Sequence, residues 1–156
     1  MKARRMLLVA AMVGSGADAT AQAPMRRLVP CEQLALRLES VAVGGDLSGV
    51  RTYYEGRVTL MQLDLVEPAC CSFGLAIVMP APPQGDEPVG MTCWTMWGYA
   101  GVDVAGAQSR YDPAIGLTLG VPTLDYDPET GATWTGPTIR LRIDAGRGTI
   151  VDLDAR

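Results

Sequence analysis

The sequence predicts an all-β fold: a single antiparallel β-sandwich or flattened barrel of about seven or eight strands, crosslinked by disulfides. Three observations predict it. Short apolar runs alternate with polar residues at a period of two, and turn clusters separate them at regular intervals. Beyond the amino-terminal leader stand four cysteines, an even number.

The leader comes first. Lys2, Arg4 and Arg5 precede an apolar run at 6–13 (MLLVAAMV), too short to span a bilayer as a helix. Small residues follow in Ala-x-Ala patterns at Ala17/Ala19, Ala19/Ala21 and Ala21/Ala23. This order of charge, apolar run and small residues is that of a secretory signal peptide. Cleavage is expected after Ala21 or Ala19, because cutting after Ala23 would leave Pro24 first. Residues 1–21 are therefore expected to be the signal peptide, and 22–156 a single β-rich domain in the periplasm or outside the cell. A short membrane anchor is the competing reading. Lipid attachment at Cys31 is disfavoured, because Leu28-Val29-Pro30 lacks the small residue that should precede it.

Residues 22–156 carry ten Arg, no Lys and sixteen Asp or Glu, a net charge of −6. Such a balance opposes nucleic-acid binding and attraction to anionic lipid. No stable membrane insertion is expected after cleavage. His and Asn are absent, and the one Lys is Lys2. A Ser-His-Asp triad, a Cys-His dyad, a His-ligated zinc site and a Schiff-base lysine in the exported part are all excluded. No cofactor is expected.

Residues 33–43 alternate Leu34, Leu36 and Leu38 with Ala35, Arg37 and Glu39, which predicts a strand. A helix is the rival, since Leu34, Leu38 and Val41 also fit helical spacing. Glycines and serine at 44–49 mark a loop. Residues 52–66 predict one strand with a bulge near Leu60–Met61. Residues 71–79 predict a buried strand, 80–88 a Pro-rich surface loop, and 91–99 and 102–111 two more strands.

Tyr111-Asp-Pro-Ala-Ile-Gly116 and Tyr126-Asp-Pro-Glu-Thr-Gly131 are near copies. In each, Asp bonds its own turn, Pro fixes φ and Gly takes the left-handed position, so each predicts a type I hairpin loop. The last hairpin joins 138–144 to 149–154. Its expected register places Val151 and Leu153 inside, with Arg142 facing Asp152 and Arg140 facing Asp154.

The cysteines are Cys31, Cys70, Cys71 and Cys93. Adjacent residues bridge only with strain. Rejecting Cys70–Cys71 also rejects Cys31–Cys93, so Cys31 is expected to join one member of the vicinal pair and Cys93 the other. A thiol oxidoreductase would want Cys-x-x-Cys, which is absent. A copper site from Cys70, Cys71 and Cys93 with Met79, Met91 or Met96 is a further alternative.

Other candidate sites have plain structural rivals. Asp125, Asp127 and Glu129 resemble calcium-loop spacing, but the glycine falls seventh and Gly136 stands twelfth, so a turn explains them better. Trp94, Trp97 and Trp134, with Tyr99, could form a ligand face or serve as core. Trp94 and Trp97 differ in parity, so one should face the core. The leading expectation is a non-catalytic binding module of the bacterial cell envelope, its partner an envelope protein or glycan. The alternatives are a carboxylate-dependent glycan hydrolase and a soft-metal (copper) binder.

Overall fold

The computed structural model describes residues 26–34, 47–65, 70–86 and 90–155. The expected signal peptide, and all but the start of the strand expected at 33–43, lie outside these residues. The elements in chain order are β1 (Val29–Pro30), a 3₁₀ turn (Cys31–Leu34), β2 (Val50–Tyr53), β3 (Val58–Asp64), β4 (Phe73–Pro80), β5 (Met91–Tyr99) and β6 (Gly101–Val102). There follow β7 (Gln108–Asp112), β8 (Gly116–Val121), β9 (Thr123–Tyr126), β10 (Thr133–Thr135), β11 (Ile139–Asp144) and β12 (Thr149–Asp152). No α-helix occurs among the described residues.

All pairings are antiparallel, in sheets ordered β1-β5-β4-β3-β2, β10-β9-β6 and β12-β11-β8-β7. The five-stranded and four-stranded sheets bury their facing sides in one core. Val58, Leu60, Leu75, Ile77 and Met79 come from the first, and Leu117, Leu119, Val121, Ile139, Leu141 and Ile143 from the second. Each full burial of such a side chain contributes roughly 1.5–3 kcal/mol. Pro122, between β8 and β9, hands the chain from the four-stranded to the three-stranded sheet. Arg51 of β2 donates to the carbonyls of Ala105 and Ala107 and so ties the edge of the first sheet to the loop before β7.

The two Asp-Pro turns form as their sequences dictate. Asp112 accepts from Ala114 N–H at 2.8 Å, and Asp127 from Glu129 N–H at 2.8 Å. Gly116 and Gly131 take φ of 93° and 72°. At Gly116 a Cβ would also stand 2.4 Å from the Ile143 carbonyl oxygen.

Several expectations need correction. Residues 52–66 are not one bulged strand. Tyr54, Glu55 and Gly56 have φ of 53°, 56° and 87° and turn the chain between β2 and β3. Residues 102–111 are two strands in different sheets, divided at the turn where Asp103 accepts from Gly106 N–H at 2.7 Å.

The β11–β12 register also differs. Asp144 pairs with Thr149 across a four-residue loop, so Arg142 stands opposite Val151 and Leu141 opposite Asp152. Asp144 accepts from Gly146 and Arg147 N–H, and Ala145 is buried, which adds one residue to the expected loop. A one-residue change exchanges the faces. Ile150 therefore packs against the core, while Val151 and Leu153 are 43% and 39% exposed. Arg140–Asp154 does form, beyond the strand end.

The disulfide pairing is the last correction. Cys31 bonds Cys93, with Cα atoms 5.3 Å apart, and Cys70 bonds Cys71. Pro30 pairs with Trp94, so the β1–β5 register sets Cys31 beside Cys93. That leaves the vicinal cysteines only each other, and Cys71 accommodates the bond at φ 78°.

Candidate functional site

A glycine inside a strand weakens pairing and often marks a bulge. Gly98 does this in β5. Trp97 pairs with Gly74 and Tyr99 with Phe73, so Gly98 is the extra residue, at φ 100°. The insertion exchanges the faces: Met96 points to the core, Trp97 points away, and Tyr99 returns to the core side. Tyr99 is thereby buried to 3% exposure, and the Gly98 carbonyl faces the amino-terminal segment.

Arg26 occupies that position. Its Nε donates to the Gly98 carbonyl at 3.2 Å, and its two terminal nitrogens donate to both carboxylate oxygens of Asp125. Its guanidinium carbon lies 5.0 Å from the centroid of the Tyr99 ring. Bidentate ion pairing and ring stacking each fix a guanidinium plane, and here both act on one side chain. Burial pushes the Tyr99 hydroxyl up to about 12, with Asp152, Asp125 and Asp154 adding to the rise and Arg26 opposing it.

Asp125 is held by the β9–β10 hairpin. It pairs across the strands with Trp134, so the two side chains share a face. The next residue after β10, Gly136, leaves room for this arrangement, because a Cβ there would lie 2.6 Å from Thr123 Oγ1 and 3.3 Å from Asp125 Cγ. Thr123 Oγ1 donates to the Pro137 carbonyl at 2.7 Å and anchors the return into β11.

Of these residues, Arg26 and Tyr99 line a cleft of ≈ 360 Å³. Its lining combines apolar Met96, Tyr99 and Ile139 with basic Arg26 and Arg27 and acidic Asp152 and Asp154. Among the described residues Arg27 makes no ion pair, Asp152 accepts from Asp154 N–H at 2.9 Å, and Asp154 pairs with Arg140. That pairing holds the Asp154 carboxyl below the usual carboxylate range, first through the hydrogen bond from Arg140 and then through its charge. The cleft can seat a small polar ring against these apolar side chains, with fixed donors and acceptors beside it.

The aromatic residues separate. Trp94 lies half-buried on the core side and Trp97 half-buried on the opposite face, while Trp134 is 49% exposed. None of Trp94, Trp97 and Trp134 lines the cleft. The carboxylates with calcium-like spacing do not converge: Asp125 is held by Arg26, and Asp127 accepts from Glu129 N–H and Thr130 Oγ. Nor does a copper cage assemble. Cys93 is bonded to Cys31, Met79 and Met96 are buried on the core side, and Cys93 pairs with Val78 on the other face. The Cys70–Cys71 end of β4 lies five residues, roughly 17 Å, from that point.

Sequence reasoning missed Arg26 because the first strand it predicts begins only at residue 33, and it missed Tyr99's turn inward because Gly98 falls within the strand predicted at 91–99. Gly98 was the available signal. No family model matches the chain, and comparison with curated proteins and with solved structures finds no similar protein.

Proposed function

We propose that this protein is a non-catalytic binding module of the cell envelope, exported through its amino-terminal leader, and that its ligand is a glycan spanning the Arg26–Tyr99 cleft and the adjoining face that carries Asp125 and Trp134. The observation that carries the reading is the placement of exposed Trp134 on the same face as the immobilised Arg26–Asp125 pair. An aromatic plane beside a fixed, bidentate donor–acceptor pair suits a sugar ring, whose apolar face stacks while its hydroxyls bond in the ring plane. The cleft volume falls in the range that accommodates a small ligand. The two disulfides fit an oxidising compartment.

Asp154 does not suit the acid role in glycan hydrolysis. A general acid on a glycosidic oxygen needs a carboxyl whose affinity for its proton is raised. Asp154 is shifted the other way by Arg140.

Titration with soluble fragments of envelope glycan, followed by tryptophan fluorescence, tests the reading. Saturable binding is expected, with affinity lowered about ten-fold in Trp134→Ala, the loss of roughly one aromatic contact. Absence of saturation, or undiminished affinity in Trp134→Ala, overturns it. So does cleavage of the glycan abolished by Asp154→Asn.

A further inference from the structure

The hairpin joining β3 to β4 is already closed by the strands themselves. Leu65 N–H donates to the Ser72 carbonyl at 3.0 Å, and Ser72 Oγ donates to Asp64 at 3.2 Å. Cys70 and Cys71 sit just beyond this closure, outside the strand pairing, and their bond encloses no intervening residue. A crosslink of that kind removes almost no loop entropy from the unfolded chain. Cys31–Cys93 spans 62 residues and fixes β1 to β5.

Access separates the two bonds as well. Cys70 is exposed and Cys71 half-buried, whereas Cys31 is buried and Cys93 half-buried, so only the vicinal bond has an exposed member. Thiol–disulfide exchange proceeds by attack of a thiolate on a sulfur it can reach. An attacking dithiol meets Cys70 without any strand opening.

We infer that Cys70–Cys71 is a separately reducible crosslink whose dithiol form is a two-sulfur binding site for trivalent arsenicals. The reductant is a small dithiol. It supplies two electrons and two protons, its own sulfurs close to a cyclic disulfide, and Cys70 and Cys71 become thiols. The pair then condenses with a monosubstituted arsenous acid: two S–As bonds form, two As–OH bonds break and two waters leave. Soft thiolate ligands suit such a centre. Two thiols on adjacent residues bind it as a chelate, so the second bond forms at high effective concentration. The reading does not depend on the glycan cleft, which lies on other elements.

The test uses the full chain under native conditions. The protein is titrated with dithiothreitol, alkylated without denaturant, and mapped by peptide mass. It is then offered phenylarsine oxide after mild reduction, and adducts are read by native mass spectrometry. Alkylation is expected on Cys70 and Cys71 at a dithiol concentration at least about ten-fold below that needed to open Cys31–Cys93. One arsenical should add per reduced chain, and none to Cys71→Ser. Simultaneous opening of both disulfides overturns the inference, as does an adduct that persists in Cys71→Ser or is never formed by the reduced wild type. Circular dichroism of the reduced form should remain that of the oxidised protein, and loss of the β signal at that dithiol concentration would equally overturn it.

Discussion

Tyr99 joins three environments: the core through its ring, Arg26 through stacking, and the cleft through its edge. Burial is the main reason its hydroxyl rises from an ordinary value of 10.0 to about 12. In the unfolded chain the same hydroxyl ionises near 10. Below that pH the folded and unfolded chains hold the same proton, and the contribution is fully present. Between about 10 and 12 the unfolded chain releases its proton first, so stability falls as pH rises. Urea unfolding should therefore show a loss on the order of 1–2 kcal/mol across that window, reduced from the full shift because the cleft admits water. Tyr99→Phe should flatten this part of the profile. Identical alkaline slopes in the two proteins would show that the ring hydroxyl is solvated. None of this could be read from Tyr99 alone. Its side was set by Gly98, one residue earlier, and its partner by an arginine 73 positions upstream.

Strand identity was legible wherever alternation was uninterrupted and a turn had its own chemistry. β4, β5 and β11 follow from alternating or continuous apolar residues, and the Asp-Pro-x-x-Gly loops from Asp, Pro and Gly in their proper places. What escaped was loop length. The β2–β3 turn places Tyr54 and Glu55 at positive φ, where neither residue type advertises a turn. The packing of Tyr54 edge-on against Tyr111, with ring centroids 5.4 Å apart, supports the conformation from outside the local sequence. In the β11–β12 hairpin the same kind of ambiguity reverses a whole strand. The charged pairs expected on the surface gave a consistent register, but burying Ala145 and capping with Asp144 gave another. The two registers make opposite forecasts. With Ile150 inside, Ile150→Asp should cost more than about 2 kcal/mol, since it buries an unpaired carboxylate. Val151→Asp, opposite Arg142 on the outer face, should change stability by no more than about 0.5 kcal/mol. Thermal unfolding of both variants decides, and the reverse order would restore the even register.

Strand pairing holds each of the three sheets together, but the amino-terminal segment enters it through only two residues, Val29 and Pro30. β1 has two residues, yet it carries the chain that presents Arg26 to Gly98, Tyr99 and Asp125. Cys31–Cys93 is what secures so short a strand to the edge of the five-stranded sheet. Closing a span of 62 residues lowers the entropy of the unfolded chain by an amount worth about 4 kcal/mol. Cys70–Cys71 closes nothing comparable. The paired variants should accordingly behave very differently. Cys31→Ala with Cys93→Ala should lose about 3–5 kcal/mol in urea unfolding, and its m value should rise because the unfolded chain expands. Cys70→Ser with Cys71→Ser should stay within about 0.5 kcal/mol of wild type. Elimination among cysteines failed because it treated the crosslinks as one puzzle of chain geometry. The strand register fixes one bond, and the vicinal bond forms between what remains. Equal losses in the two double variants would mean that the vicinal crosslink helps to hold the sheets together, and the division of labour drawn here between stapling and exchangeable sulfur would be wrong.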